Sequence, residues 1–153
     1  MDSSQRYLLI VACSQRKRSD VGFLPAIERY DGGNYRLLRK ARREGYWPER
    51  LDVLILSAKY GLIEASTPIV NYEQRMNKER ASELKAQTMQ TLQSYAQQNV
   101  YYEVYVDLGQ DYIFTVEGVE KLFNNSLVRY AKGRIGERLF QLKTWIVEKC
   151  KET

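Results

Sequence analysis

Residues 7–12 read YLLIVA, an unbroken run of apolar side chains that ends at once in the polar segment 13–20. A strand with one face in water alternates apolar and polar residues, whereas an unbroken apolar run is typical of a strand covered on both faces. Parallel sheets enclosed by helices are the usual setting for such a strand. The run therefore predicts a buried strand of an α/β fold.

Two similar runs lie further along the chain, DVLIL at residues 52–56 and YYEVYV at residues 101–106, and both are predicted strands. The segment around Pro68, Asn71 and Tyr72 is predicted to be a loop. The spacing of apolar residues predicts helices at residues 35–44 (capped by Asn34 and ended by Gly45), 77–99, 112–123 and 133–149. Because parallel neighbours need long return connections, this alternation predicts a single three-layer α/β domain over residues 1–153, with a mainly parallel sheet and flanking helices.

The composition excludes several classes of site. The 153 residues are 44% hydrophobic and 28% charged, as in an ordinary globular domain. They include no histidine, which removes Ser-His-Asp and Cys-His mechanisms and nearly every zinc site. The glycine motifs of P-loop and simple dinucleotide-binding proteins do not occur either. We therefore predict neither a metal nor a cofactor.

The apolar stretches are too short for a membrane span, and the run near the start of the chain is too brief for the core of a signal peptide. The chain is therefore expected to be cytoplasmic and to have no membrane partner. In that compartment Cys13 and Cys150 are expected to remain thiols rather than to form a disulfide. The sequence leaves the oligomeric state open.

The net charge of +5 arises in the first part of the chain. Residues 1–60 contain 12 Lys and Arg against 7 Asp and Glu, whereas residues 61–153 contain 12 of each. Clusters of cations attract polyanions, but an ordinary solvated helix face explains the cluster in the first predicted helix equally well. The predicted nucleic-acid surface consists of Arg36, Arg39, Lys40 and Arg43.

In open parallel sheets, ligands bind beyond the carboxyl ends of the strands. Three segments occupy such positions, residues 13–17, 57–61 and 107–112, and each turns abruptly to small, polar or charged residues. Lys17 and Lys59 would form a compact positive site there, for which phosphate is the natural occupant. Asp107 is expected to orient a lysine or to serve as a base.

Other residues near these strand ends are predicted to orient or to enclose the ligand. Serine hydroxyls and backbone amides beside glycines would hold it, and tyrosine rings would border a base. For each tyrosine, packing in a half-buried position is the alternative. The residues predicted to bind ligand are Ser14, Ser57, Tyr60, Gly61, Tyr72, Gly109 and Tyr112.

Three further residues carry alternative predictions. Basic neighbours favour the thiolate of Cys13 and hence a nucleophile, but a buried cysteine is often only a small hydrophobic residue. Lys59 would form a Schiff base if its pKa were lowered, although electrostatic binding of an anion is the favoured role. Arg134 and the first amides of the last predicted helix would receive a phosphate, whereas close packing is the alternative reason for the glycines beside it.

A series of short motifs runs through the chain: CSxxK at residues 13–17, PA at 25–26, SAKYGL at 57–62, GxxY at 109–112 and GxIGxxL at 133–139. With these motifs the sequence resembles a bacterial and phage family of unknown function that is related to the peroxide-stress protein YaaA. The resemblance extends over residues 7–145 approximately. The SAKYGL string after a strand is its most specific element.

The resemblance implies an α/β fold similar to that of uracil-DNA glycosylases. It also implies work close to DNA or nucleotides, because YaaA is associated with protection of DNA under oxidative stress. Similar domains occur in enzymes that handle modified guanine in tRNA. Tyr60 stands where many relatives carry histidine, so a histidine-dependent mechanism is not transferred to this chain.

Together these observations predict a protein that binds a nucleotide or a nucleic acid in a phosphate- and base-binding pocket at the strand carboxyl ends. If it is an enzyme, metal-independent glycosidic or base-transfer chemistry is expected, with Lys59, Lys17, Asp107 and Cys13 as the catalytic candidates. One alternative is a non-catalytic DNA-binding module of the oxidative-stress response that uses the face of residues 36–43. Another is a protein-interaction domain whose basic surface has no specific ligand.

Overall fold

The structure, a computed structural model, describes residues 5–152, and within them a sheet lies between two layers of helices. The strands are β1 (Arg6–Ala12), β2 (Leu24–Pro25), β3 (Leu51–Ser57), β4 (Gly61–Glu64), β5 (Pro68–Ile69), β6 (Tyr101–Asp107) and β7 (Leu127–Tyr130). The helices are α1 (Ala26–Arg29), α2 (Gly33–Glu44), α3 (Lys78–Gln98), α4 (Gln110–Ile113), α5 (Val119–Leu122) and α6 (Ile135–Glu152), with a 3-10 turn at Phe114–Val116. None of the helices in this part of the chain is long and apolar enough to cross a bilayer.

The main sheet has five strands in the order β4-β3-β1-β6-β7. β1 pairs in parallel with β3 on one side and with β6 on the other, and β7 continues the parallel arrangement beyond β6. β4 folds back from β3 as an antiparallel hairpin. The mainly parallel α/β class predicted from the sequence is confirmed, with three layers in one domain.

β1 is covered on both faces, as its apolar sequence predicts. Leu8, Leu9, Ile10 and Val11 have no solvent exposure. Leu9 and Val11 pack beneath α2 and α6, whereas Leu8 and Ile10 pack against α3 on the opposite face. Because burying such a side chain contributes about 1.5–3 kcal/mol, this strand is the centre of both halves of the core.

The strand order creates a crevice at one end of the sheet. From β1 the chain passes to β3 and β4 on one side, and then crosses to β6 and β7 on the other side. The connections that leave β1 and β6 therefore diverge, which leaves a gap beyond the carboxyl ends of these two strands. This switch point positions the site described below.

Two predicted helices differ from those observed near this crevice. The N-cap of α2 is Gly32 and not Asn34, because the amides of Tyr35 and Arg36 both donate to the Gly32 carbonyl. The helix predicted at residues 112–123 is broken into α4, the 3-10 turn and α5. Gly118 lies between the 3-10 turn and α5, and its backbone is left-handed, with a φ of 90°.

Strands are present where a loop or no element was predicted. The segment around Pro68, Asn71 and Tyr72, which was predicted to be a loop, contains β5, and β4 lies at residues 61–64, where no strand was predicted. β7, at the edge of the sheet, spans four residues, Leu127–Tyr130, and is too short to produce a recognisable hydrophobic period. The last helix starts at Ile135 and extends to Glu152, whereas residues 133–149 were predicted.

A buried ion pair joins α6 to the sheet. The carboxylate of Glu103, on β6, lies 3.0 Å from the Lys149 ammonium and 3.7 Å from the Arg129 guanidinium. Trp145 donates a hydrogen bond from its indole N–H to the same carboxylate. The Glu103 carboxylate therefore has close partners on all sides and serves to hold α6 on the sheet.

Replacing Lys149 with methionine is expected to lower the free energy of unfolding by roughly 3–5 kcal/mol, because it leaves a buried carboxylate without its closest cation. Urea denaturation measures the change. The matched control is Lys151→Met, at an exposed position of the same helix, for which a change within about 0.5 kcal/mol is expected. Equal stability of the two variants would show that the ion pair makes no net contribution.

Candidate functional site

A cavity of about 270 Å³ opens at the switch point. Its walls come from four places: residues 12–15 after β1, residues 32–34 at the start of α2, the segment after β6 and the first turns of α6. The side chains that carry its chemistry are Cys13, Asp107, Tyr112 and Arg138. We call this space the switch-point cavity.

Asp107 is the buried charge of the switch-point cavity, with 7% of its side chain exposed. Its nearest cationic atom is Nε of Arg138, at 3.9 Å, which is too far for a hydrogen bond. Within residues 5–152 no group donates a hydrogen bond to this carboxylate. Burial raises the pKa of Asp107 to about 6, and Arg138 opposes the rise. A carboxyl group of this kind exchanges its proton near neutral pH, as a general acid or base must.

Arg138 faces Asp107 with unused hydrogen-bonding capacity. Its Nε is buried and has no hydrogen-bond partner among the residues that the structure describes. Buried donors are normally paired, so an unpaired one in a cavity calls for a ligand or a water. Arg138 was not among the residues predicted to bind ligand.

The start of α2 forms the opposite wall. Ser14 Oγ accepts hydrogen bonds from the amides of Asp31 and Gly32, both at 3.2 Å, and donates to the Arg16 carbonyl at 2.6 Å. These bonds tie the loop after β1 to the helix, so the Ser14 hydroxyl is engaged in structure. Gly33 and Asn34 line the cavity, and first-turn amides of a helix have no partner within the helix.

Cys13 and Tyr112 stand between the switch-point cavity and a second cavity of about 250 Å³. Cys13 Sγ lies 3.3 Å from the Tyr112 hydroxyl and accepts a hydrogen bond from the Ala58 amide at 3.4 Å. Burial raises the pKa of Tyr112, which therefore keeps its proton at neutral pH. The second cavity adds Lys17, Arg75 and Asp111 to the shared residues. We call it the side cavity.

The two lysines predicted to hold an anion approach the same aromatic ring. Lys17 Nζ lies 4.5 Å from the centroid of the Tyr72 ring, and Lys59 Nζ lies 5.5 Å from it. Lys17 also donates to the Gln15 carbonyl at 3.2 Å, and burial lowers its pKa. Lys59 is exposed. Asp107 pairs with Arg138 and with neither lysine, contrary to the expectation that it orients one of them.

Ser57 and Tyr72 belong to a closed group of buried hydroxyls. Tyr30 Oη donates to Ser57 Oγ at 3.1 Å, and the Tyr72 hydroxyl lies 2.6 Å from Tyr30 Oη and 3.0 Å from Ser57 Oγ. Ser57 Oγ also accepts hydrogen bonds from the Lys59 and Tyr60 amides. The Tyr60 ring packs edge-on against Tyr72, with 5.5 Å between centroids. This cluster shapes the turn after β3.

Of the predicted glycines, Gly109 lines the switch-point cavity, where it precedes α4. Gly61 lies instead in the β3–β4 hairpin with a left-handed φ of 79°, packed against the side chain of Gln87. Arg134 is exposed, and its amide donates to Glu137 at 3.0 Å, so a side-chain carboxylate already occupies that helix start.

The basic face predicted on α2 is partly engaged in holding the chain together. Asp31 pairs with Arg36 at 3.0 Å and with Arg39 at 2.6 Å. Arg39 donates as well to the carbonyls of Ile27 and Tyr30. Lys40 lies 4.0 Å from Glu44, and Arg43 is exposed. The face is therefore less free for a polyanion than its sequence indicates.

Among residues 5–152, side chains that could bind a metal ion are not grouped at the site. Within residues 5–152 no three carboxylate or cysteine side chains are grouped so that they could hold a metal ion.

Comparison with known proteins shows the fold and the family. No curated protein is detectably similar to the chain. The crystal structure of AF0587, a protein of unknown function, superposes with a TM-score of 0.56 and 16% sequence identity, over 93% of this chain and 44% of that one. The chain thus spans less than half of the length of AF0587, and this likeness shows a shared fold alone.

The sequence itself places the chain in a family. Residues 8–144 match a family of unknown function, DUF6884, which covers most of the domain. The resemblance to a family of unknown function is confirmed, whereas neither match names a relationship to YaaA. The chain belongs to the family of unknown function DUF6884.

Proposed function

We propose that the switch-point cavity binds a nucleotide, or a phosphate-bearing nucleotide unit of a nucleic acid. The observation that carries the proposal is the pair of Asp107 and Arg138, a buried carboxylate and a half-buried guanidinium with a buried, unpaired Nε, which meet in a cavity at the strand carboxyl ends. Ligands of open parallel sheets bind at such switch points. A structural ion pair would be fully hydrogen-bonded instead.

The polar groups of the cavity suit an anion at one end. The Nε of Arg138 is a donor without a partner within residues 5–152, and Gly33 and Asn34 bring the start of α2 to the same cavity. Guanidinium groups and helix starts both bind phosphate oxygens well. A phosphate seated there would accept a hydrogen bond from the buried Nε of Arg138. Asp107 would then face the neutral part of the ligand.

The other end of the cavity suits an aromatic group. Tyr112 offers a ring and a protonated hydroxyl beside Cys13, and Gly109 leaves space next to them. A cavity of about 270 Å³ is close to the lower end of small-molecule sites, which start at about 300 Å³. The side cavity, with Lys17 at its edge, extends this space.

The chemistry that fits Asp107 is general base catalysis without a metal. In a glycosidic cleavage Asp107 would take a proton from water while the water oxygen bonds to the sugar carbon, and the base would leave with the electrons of the broken bond and gain a proton from solvent. A base with a pKa of about 6 is suited to this step near neutral pH. The resemblance to YaaA-related proteins and to enzymes of modified guanine supports a nucleobase as the leaving group.

The alternative DNA-binding module would use the face of residues 36–43. The bonds from Arg36 and Arg39 to Asp31 weaken this alternative, because a phosphate would have to compete with a carboxylate already in place. We therefore propose the cavity rather than this face as the primary site.

Replacing Arg138 with glutamine is expected to weaken binding of nucleoside monophosphates by roughly ten- to a hundredfold, because hydrogen bonds to charged groups contribute about 1.5–3 kcal/mol each. Isothermal titration calorimetry measures the affinity. The matched control is Arg134→Gln, an exposed arginine one helical turn earlier, for which the affinity should stay the same. Equal losses in both variants would indicate diffuse attraction by surface charge and would contradict the cavity.

Replacing Asp107 with asparagine is expected to abolish any release of free base while nucleotide binding is retained, because an amide cannot accept the proton from water. Chromatography of the reaction mixture measures free base. In the parent protein the rate should rise with pH through about 6, as the carboxyl group ionises. Base release by the asparagine variant would exclude Asp107 as the base.

The raised pKa of Asp107 also predicts a pH-dependent cost in stability. The unfolded chain loses this proton near the ordinary pKa of 3.8, whereas the folded chain keeps it up to about 6, so stability falls as pH rises between these values. Asp107→Asn should therefore stabilise the protein by roughly 3 kcal/mol above pH ~7 and by little at pH ~4.

Urea denaturation at both pH values measures this difference. Asp111→Asn, at an exposed position of α4, is the control and should show no pH-dependent gain. A gain of the same size at both pH values would show that burial does not raise the pKa of the Asp107 carboxyl group.

A further inference from the structure

Arg29 is a buried cation that the proposed site does not use. It has no solvent exposure, and no carboxylate within residues 5–152 pairs with its guanidinium. Its Nη1 donates to the carbonyls of Arg18 and Asp20 at 2.7 and 2.9 Å, and its Nη2 donates to that of Gly22 at 2.5 Å. Burying a guanidinium that has only carbonyl partners costs desolvation free energy. The structure that this guanidinium holds in place has to offset that cost.

What Arg29 holds is the loop that follows β1. Three carbonyls between residues 18 and 22 converge on one guanidinium, and the Arg18 amide donates in return to the Arg29 carbonyl at 2.8 Å. The loop is therefore preorganised, although its tip lies in solvent. Preorganisation lowers the entropic cost of binding.

The tip of this loop presents two apolar side chains to solvent. Val21 is fully exposed, and Phe23 is 70% exposed. Three cations precede them. Arg18 lies 3.0 Å from Asp20 and Arg16 lies 3.8 Å from Asp31, whereas Lys17 has no carboxylate within 4 Å among residues 5–152. A rigid segment with an exposed aromatic ring beside cations has the composition of a surface that binds a flexible polyanion with flat apolar faces.

We propose that residues 16–23, which we call the Phe23 loop, bind single-stranded nucleic acid and continue the binding surface that begins in the side cavity. The inference deepens the proposed function and rests on it for the nucleotide held in the switch-point cavity. Phe23 would stack on an unpaired base, and Lys17 would neutralise a neighbouring phosphate.

The connection between loop and cavity favours a strand over a free nucleotide. Lys17 belongs to the Phe23 loop and also lines the side cavity. Phe23 is six positions after Lys17 in the chain, so their Cα atoms are at most about 22 Å apart. A ligand that fills the cavity with one nucleotide therefore needs only a short strand to reach Phe23. A duplex would not do so equally well, because its bases stack on one another and hide their faces.

Fluorescence anisotropy with a labelled single strand of about 10 nucleotides tests the proposal. The parent protein should bind this strand more tightly than a nucleoside monophosphate and more tightly than the same sequence as a duplex. Phe23→Ala should weaken strand binding by about tenfold and leave binding of the monophosphate unchanged. Phe23→Trp should retain strand binding, because the indole ring also stacks.

The matched control is Phe140→Ala, on α6, where the ring is 72% exposed and therefore as accessible as that of Phe23. It should leave strand affinity unchanged. Equal losses for both phenylalanines, or no loss for Phe23→Ala, would overturn the inference.

The outcomes separate this inference from the proposed function. If the monophosphate binds but the strand binds no more tightly, the Phe23 loop is excluded while the cavity proposal stands. If the strand binds through Phe23 but the monophosphate does not bind, the cavity proposal fails and the loop remains a nucleic-acid surface. Binding of anionic phosphatidylserine vesicles through Phe23, without binding of the strand, would identify a lipid surface and overturn the inference.

Discussion

The complete burial of β1 determines where this protein can carry chemistry. Every side chain from Tyr7 to Val11 is shielded from water, and parallel neighbours pair with the strand on both edges. Polar groups are too costly inside such a layer unless they are fully paired. The polar side chains of the proposed site therefore lie at the carboxyl ends, where Cys13 and Asp107 stand at the ends of adjacent strands.

The sequence predicts the location of these strand ends because a strand buried on both faces is an unbroken apolar run. The apolar runs at β1 and β3 and the polar segments after them are local signals, and so is the position of Asp107 after a β-prone run. Arg138 has no such signal, since its place beside Asp107 depends on how α6 packs across the sheet. The same reason explains Ser14, whose hydroxyl bonds to amides 17 and 18 residues later in the chain.

Lys17 and Lys59 show that strand ends predict which residues lie close together but not which cavity each side chain faces. Both amines approach the Tyr72 ring, as neighbouring strand ends require. Which charge faces which cavity is decided by the turns, however, and the turn after β3 is closed by the hydroxyl cluster of Ser57, Tyr30 and Tyr72. That cluster is satisfied internally, so the polar residues of this turn serve the fold first.

The two buried carboxylates of β6 make the strongest comparison within the molecule. Glu103 and Asp107 point to the same face of the sheet, because they are four residues apart on one strand. α6 supplies a cation to both: Lys149, together with the Trp145 indole N–H, binds Glu103, whereas Arg138 stays 3.9 Å from Asp107, with its Nε unpaired among residues 5–152. β6 and α6 thus hold two carboxylates, of which Glu103 has close polar partners and Asp107 does not. The same elements can thus supply a carboxylate with close partners, and the gap beside Asp107 is therefore the reason for proposing a ligand there.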